Sequence, residues 1–142
     1  MPTGAADNFA HESYGDISGV SFYGPAVKGF RDDRFPVSDR FIDPLFRAVL
    51  DRAALERTKA PKLVTDWNAL TGWRDASGFL ELPLADVAEL IDGLAAVTTA
   101  DLAPHAAEFA VTPDECLRCA SAISRFLRER VSSGRQVYVE RD

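Results

Sequence analysis

Apolar residues recur at helical spacing in several stretches of this chain, and shorter stretches between them alternate in the manner of strands. The cleanest helix covers 84–97. Leu84, Val87, Leu90, Ile91, Leu94 and Val97 share about 140° of its wheel, and Asp86, Glu89 and Asp92 group on the opposite side. Pro83 opens it. A second helix is expected over 44–57, with Leu45, Phe46, Val49, Leu50 and Ala53 as its apolar stripe. Asp43 is the expected cap, and Pro44 suits the first helical position, where a missing N–H costs nothing. Phe41 and Ile42 extend the stripe backward as a staple. The third helix has the strongest start: Thr112-Pro113-Asp114-Glu115 combines a cap, a first-turn proline and the capping-box glutamate. It runs to 131 or 132, with Gly134 as a left-handed stop. A weaker helical stretch covers 101–109, with Thr98 or Thr99 as its cap and Pro104 limiting its start.

Strand signals fall between these helices. Residues 18–23 read as a strand ended by Gly24-Pro25, and 26–30 as its hairpin partner. Leu63-Val64 is extended, then a short turn of helix passes through Asp66-Trp67-Asn68. Residues 79–82 form a strand after the turn Asp75-Ala76-Ser77-Gly78. Residues 136–139 alternate as a terminal strand. The fold class is therefore α+β: one domain over 16–142, with a small, mostly antiparallel sheet packed on one face by three main helices. A doubly wound parallel sheet needs more strands in regular alternation with helices. Residues 1–15 show no period and read as a loose N-terminal arm. The terminal strand 136–139, as an open sheet edge, offers a route to a homo-oligomer.

Composition narrows the class. The 142 residues are 46% hydrophobic and 27% charged, an ordinary globular mix in one domain. Sixteen basic against 22 acidic residues give a net charge of −6, which argues against binding a nucleic-acid backbone. No apolar run approaches the ~18 residues of a membrane span, and the start lacks the basic and apolar segments of a secretory signal. A cytoplasmic protein is expected. Thirteen Arg against three Lys, with 21 Ala, suggest GC-rich bacterial coding.

Charge is unevenly distributed. From Asp75 to Leu117 there are nine acidic residues and neither Lys nor Arg, whereas 28–62 hold nine basic and six acidic residues and 118–141 hold six and two. Such a block attracts a basic partner and speeds its association. The simpler alternative is a solvated face, some of whose carboxylates pair with arginines of the third helix or serve helix starts.

Candidate chemistry is sparse. Cys116 and Cys119 form a C-x-x-C pair, but they lie inside the third helix on its apolar side rather than at its start, where amides stabilise a thiolate. Core packing is the preferred reading, with redox or metal roles as alternatives. A zinc site built from both cysteines, His11 and His105 would need ligands 94 positions apart in sequence. No nucleophile elbow or phosphate-binding glycine loop occurs. Asp32-Asp33 beside Arg31 and Arg34 reads as a solvated turn. Trp67 and Trp73 are lids on a small core or anchors for a partner. These residues point to a small acidic, non-enzymatic protein-binding module of the immunity, antitoxin or adaptor type, requiring no metal or cofactor. Asp86, Glu89 and Asp92 would meet the basic partner, with Trp67 or Trp73 as anchor. The alternative is a thiol-dependent enzyme or redox protein using Cys116 and Cys119.

Overall fold

The structure, a computed structural model, describes residues 9–10, 14–15, 19–24, 33–69 and 80–141. Among these residues four strands build one antiparallel sheet: β1 (Gly19–Gly24), β2 (Asp33–Ser38), β3 (Leu80–Leu82) and β4 (Val137–Arg141), in the order β2-β1-β4-β3. Period-two alternation sends Val20, Phe22, Val37, Leu82, Val137 and Val139 into a single core. The opposite face is polar. There the Tyr23 hydroxyl donates to Glu140 at 3.0 Å, and Arg34 Nε donates to Ser21 Oγ at 3.2 Å. Burial, reinforced by that bond to Glu140, raises the Tyr23 pKa.

Two expectations about the sheet are corrected. The partner of β1 is 33–38, paired Val20 with Val37 and Phe22 with Phe35; the expected strand at 26–30 lies outside the described residues. The terminal strand is not an open edge. β4 sits between β1 and β3, pairing Phe22 with Val139 on one side and Leu82 with Val137 on the other. With valines at 137 and 139 facing the core, it has the character of a central strand, and β2 and β3 are the outer strands of the described sheet.

Among the described residues five helices accompany the sheet: α1 (Asp39–Glu56), α2 (Lys62–Asn68), α3 (Leu84–Ala96), α4 (Thr99–Glu108) and α5 (Pro113–Ser133). The three expected as dominant are the long ones, at 18, 13 and 21 residues. The start of α1 differs from expectation. Ser38, the last residue of β2, caps it by accepting from the Arg40 N–H at 3.1 Å, so strand passes directly into helix. Asp43 is not the cap; it lies inside the helix, 3.5 Å from Arg47. Pro44 is likewise internal and buried, and the expected staple residues Phe41 and Ile42 are helical and buried.

Leu63 and Val64, expected to be extended, belong to α2 and are buried. The Pro61 carbonyl accepts from the N–H groups of both Val64 and Thr65 at 3.1 Å, which closes the first turn. α4 starts earlier than expected, on a capping box between Thr98 and Asp101, and Pro104 sits within it. α5 follows its sequence signals. Thr112 and Glu115 form the capping box, and Gly134 ends the helix at φ 66°. Arg135 N–H then returns to the Arg130 carbonyl at 2.9 Å.

Points along the expected arm are docked. Phe9 is buried with its ring edge-on to Phe41 at 5.1 Å, and its carbonyl accepts from Ser38 N–H at 2.7 Å. The Tyr14 ring meets Phe41 at 5.3 Å and carries the Arg40 guanidinium at 4.8 Å.

Candidate functional site

The amphipathic pattern of α3 turns Val87, Leu90, Ile91 and Leu94 into the core and its carboxylates outward. Glu89 and Asp92 are exposed and Asp86 is half-buried. The three do not behave alike. Glu89 Oε1 accepts from the Lys62 backbone N–H at 2.7 Å. It thereby caps α2, whose preceding Pro61 has no side-chain acceptor to offer. Lys62 Nζ donates to Asp66 at 2.8 Å; that bond raises the lysine pKa, and the field of Asp86 adds to it. Asp92 and Glu89 line a shallow cavity of about 210 Å³ with Arg52, Glu56, Lys59 and Pro61.

Other members of the acidic block serve the fold. Asp101 completes the α4 capping box and lies 3.7 Å from Arg52, and Glu115 completes that of α5. Glu81 accepts from Gln136 at 3.4 Å. Glu108 and Asp114 are exposed, and Asp75 lies outside the described residues. Trp67 is buried, edge-on to Phe46 with ring centroids 5.2 Å apart. Trp73 lies outside the described residues.

Both thiols are buried in the α5 core stripe. Burial, with Glu115 close by, pushes Cys116 up to about 11, and burial beside Cys116 pushes Cys119 well above its ordinary value. This environment suppresses the thiolate that nucleophilic or redox chemistry requires. Alkylation by iodoacetamide at pH 7–8 is expected to be slow in the native state and rapid after denaturation; rapid labelling of either native thiol would contradict the geometry. The raised values also couple to stability. The unfolded thiols ionise from near 9, whereas folded Cys116 holds its proton to about 11. Their contribution is complete below pH 9 and is lost as pH rises through that window. Urea midpoints should fall between pH 9 and 11, and Cys116→Ala should flatten the fall.

His105 belongs to neither cysteine. Its Nε2 meets Asp51 Oδ2 at 2.5 Å, tying α4 to α1. His11 lies outside the described residues. Among the described residues, no cluster of three His, Cys, Asp or Glu side chains is arranged to hold a metal.

A basic face on α5 had no place among the candidate residues. Arg118, Arg125 and Arg128 share about 80° of the helix with Ser121, and all four are exposed. Within the described residues these arginines form no ion pair. The described members of the acidic block therefore do not neutralise them. The excess of arginine over 118–141 is visible in the sequence, but its neighbours are set by packing. α3 lies against α5 so that Leu94 and Ala95 face Leu117, Ala120, Ser121, Ser124, Arg125 and Arg128 across a cavity of about 350 Å³.

Comparison with known protein families, with characterised proteins and with solved structures finds no match to this chain.

Proposed function

We propose that this chain is a small, non-enzymatic protein-binding module that engages a basic partner through the outer face of α3. The observation that carries this reading is the pair Asp86 and Asp92. Six residues apart, they are about 9 Å apart along the helix, and neither forms an ion pair among the described residues. Carboxylates left in that state accelerate encounter with a cationic surface and help to set its register. Glu89, held by the α2 N–H, contributes charge from a fixed position. With Trp67 in the core, Trp73 is the tryptophan proposed as the aromatic anchor. The burial of both thiols supports a binding role over a thiol-dependent one. No described helix is long and apolar enough to cross a membrane, and we place the module in a bacterial cytoplasm.

The test begins with affinity capture of the tagged chain from its own lysate at low and high salt. A stoichiometric basic protein, held at low salt and released at high salt, is the expected result. The double variant Asp86→Asn/Asp92→Asn should then slow association with it by about tenfold at low salt, with the difference vanishing at high salt. An unchanged on-rate would remove α3 as the binding face.

A further inference from the structure

The cavity between α3 and α5 carries cationic and hydroxyl side chains on its α5 wall. Among the described residues its polar lining consists of two guanidinium groups, Arg125 and Arg128, and two hydroxyls, Ser121 and Ser124, with no carboxylate. In a chain of net charge −6, a concavity whose described charged residues are both cations runs against the overall field. Ser124 is the more telling side chain. It is only 8% exposed, yet its hydroxyl makes no hydrogen bond among the described residues. A helical hydroxyl commonly bonds back to a carbonyl of the preceding turn. Thr65 does so to Pro61 at 3.3 Å, and Ser132 to Glu129 at 3.1 Å. Ser124 does not; its hydroxyl opens on the cavity instead, leaving a donor for whatever enters.

We infer that this cavity binds a small organic phosphate, its phosphoryl group held by Arg125, Arg128, Ser121 and Ser124 and its body resting on Leu94, Leu117 and Ala120. A carboxylate is satisfied by one bidentate guanidinium, whereas two guanidinium groups and two hydroxyls match the double charge and three terminal oxygens of a phosphate monoester. A volume of about 350 Å³ is at the small end of ligand sites and exceeds what a bare phosphate fills. The apolar wall accounts for the remainder. Along the same helix a second concavity of about 290 Å³ shares Leu117, Ser121 and Arg125 and adds Arg118, extending the positive field at the rim. Among the described residues no aromatic side chain lines either concavity, so they offer no stacking platform of the kind a single-stranded nucleic acid uses.

Isothermal titration calorimetry of the full chain with phenyl phosphate, inorganic phosphate and benzoate tests this. Phenyl phosphate should bind saturably, severalfold more tightly than inorganic phosphate and far more tightly than benzoate. Arg125→Gln and Arg128→Gln should each weaken it by about tenfold or more. Ser124→Ala should weaken it severalfold while leaving the thermal midpoint unlowered, which a purely structural serine would not do. Arg135→Gln, remote from the lining, serves as the control and should leave the affinity unchanged. Absence of saturable binding, or binding indifferent to Arg125 and Arg128, would overturn the site. Equal affinity for benzoate would overturn its phosphoryl specificity, and equal affinity for inorganic phosphate would overturn the organic ester. A short single-stranded oligonucleotide that binds through the same arginines where phenyl phosphate does not would replace the proposal with a nucleic-acid surface.

Discussion

Phe46→Ala is expected to lower the unfolding free energy by about 3–5 kcal/mol. Phe46 is fully buried on α1, and its ring meets that of Trp67 edge-on at 5.2 Å and 85°. Removing it costs the transfer energy of the ring and leaves a void between α1 and α2 that a seven-residue helix is poorly able to close. Domains of this size are stable by about 5–15 kcal/mol, so the loss is a large fraction of the total. The thermal midpoint should fall by about 10 °C. Urea unfolding read by tryptophan fluorescence measures the effect directly, and a change in midpoint at constant slope would assign it to the folded state. Leu55→Ala is the matched control. Its side chain is 72% exposed, so the change should stay within about 0.5 kcal/mol. A loss below about 1 kcal/mol for Phe46→Ala would mean that the two helices are not joined through this ring pair.

The second large effect is at Gly24, where β1 passes under α5. A Cβ there would lie 2.3 Å from both Cζ and Nη1 of Arg130. An arginine tip at a surface would swing aside, but Arg130 is 2% exposed. Its guanidinium stands 5.3 Å from the Phe126 ring, which in turn stacks on Phe35 of β2 at 5.6 Å. Gly24→Ala should therefore destabilise by about 1–3 kcal/mol, the usual range for an overpacked core. The steric origin has its own signature. In an Arg130→Ala background, already less stable, the additional cost of Gly24→Ala should shrink by at least half, a coupling that a double-mutant cycle reads directly. Equal costs in both backgrounds would place the effect in the strand backbone and not in the arginine.

What the sequence made legible follows the range of the interactions involved. α3 and α5 were readable because their signals are local: a stripe repeating within one helix, and a Thr112–Glu115 box closed within four residues. The start of α1 misled because Asp43-Pro44 is a good local start. Ser38 prevails because β2 ends there, which only pairing with β1 reveals. The α2 helix replaced an extended Leu63-Val64 for a similar reason, since its free N–H is capped by Glu89, 27 residues away. That bond also changes the candidate site. The spacing of Asp86, Glu89 and Asp92 correctly placed them on one outer face, but no pattern within α3 distinguishes a carboxylate committed to a neighbouring helix from two that are not. Trp67 could be read as lid or anchor, and its position against Phe46 is a matter of tertiary packing. The α5 arginines were countable, but a cavity needs a second wall. Leu94 and Ala95 supply that wall from more than 20 residues upstream.

The place of β4 bears on how the chain can be made. β1 and β3 have no shared neighbour until residues 137–141 arrive to pair with both. A nascent chain extended through the whole of α5 would hold the five described helices and three of the four described strands, yet its sheet would remain open between β1 and β3. Val20 and Phe22 would face a gap where Val139 belongs. Such pairings, more than 110 residues apart in sequence, are slow to form and leave the partly made chain open to aggregation. Of the four described strands, synthesis from N to C terminus thus supplies this inner one last.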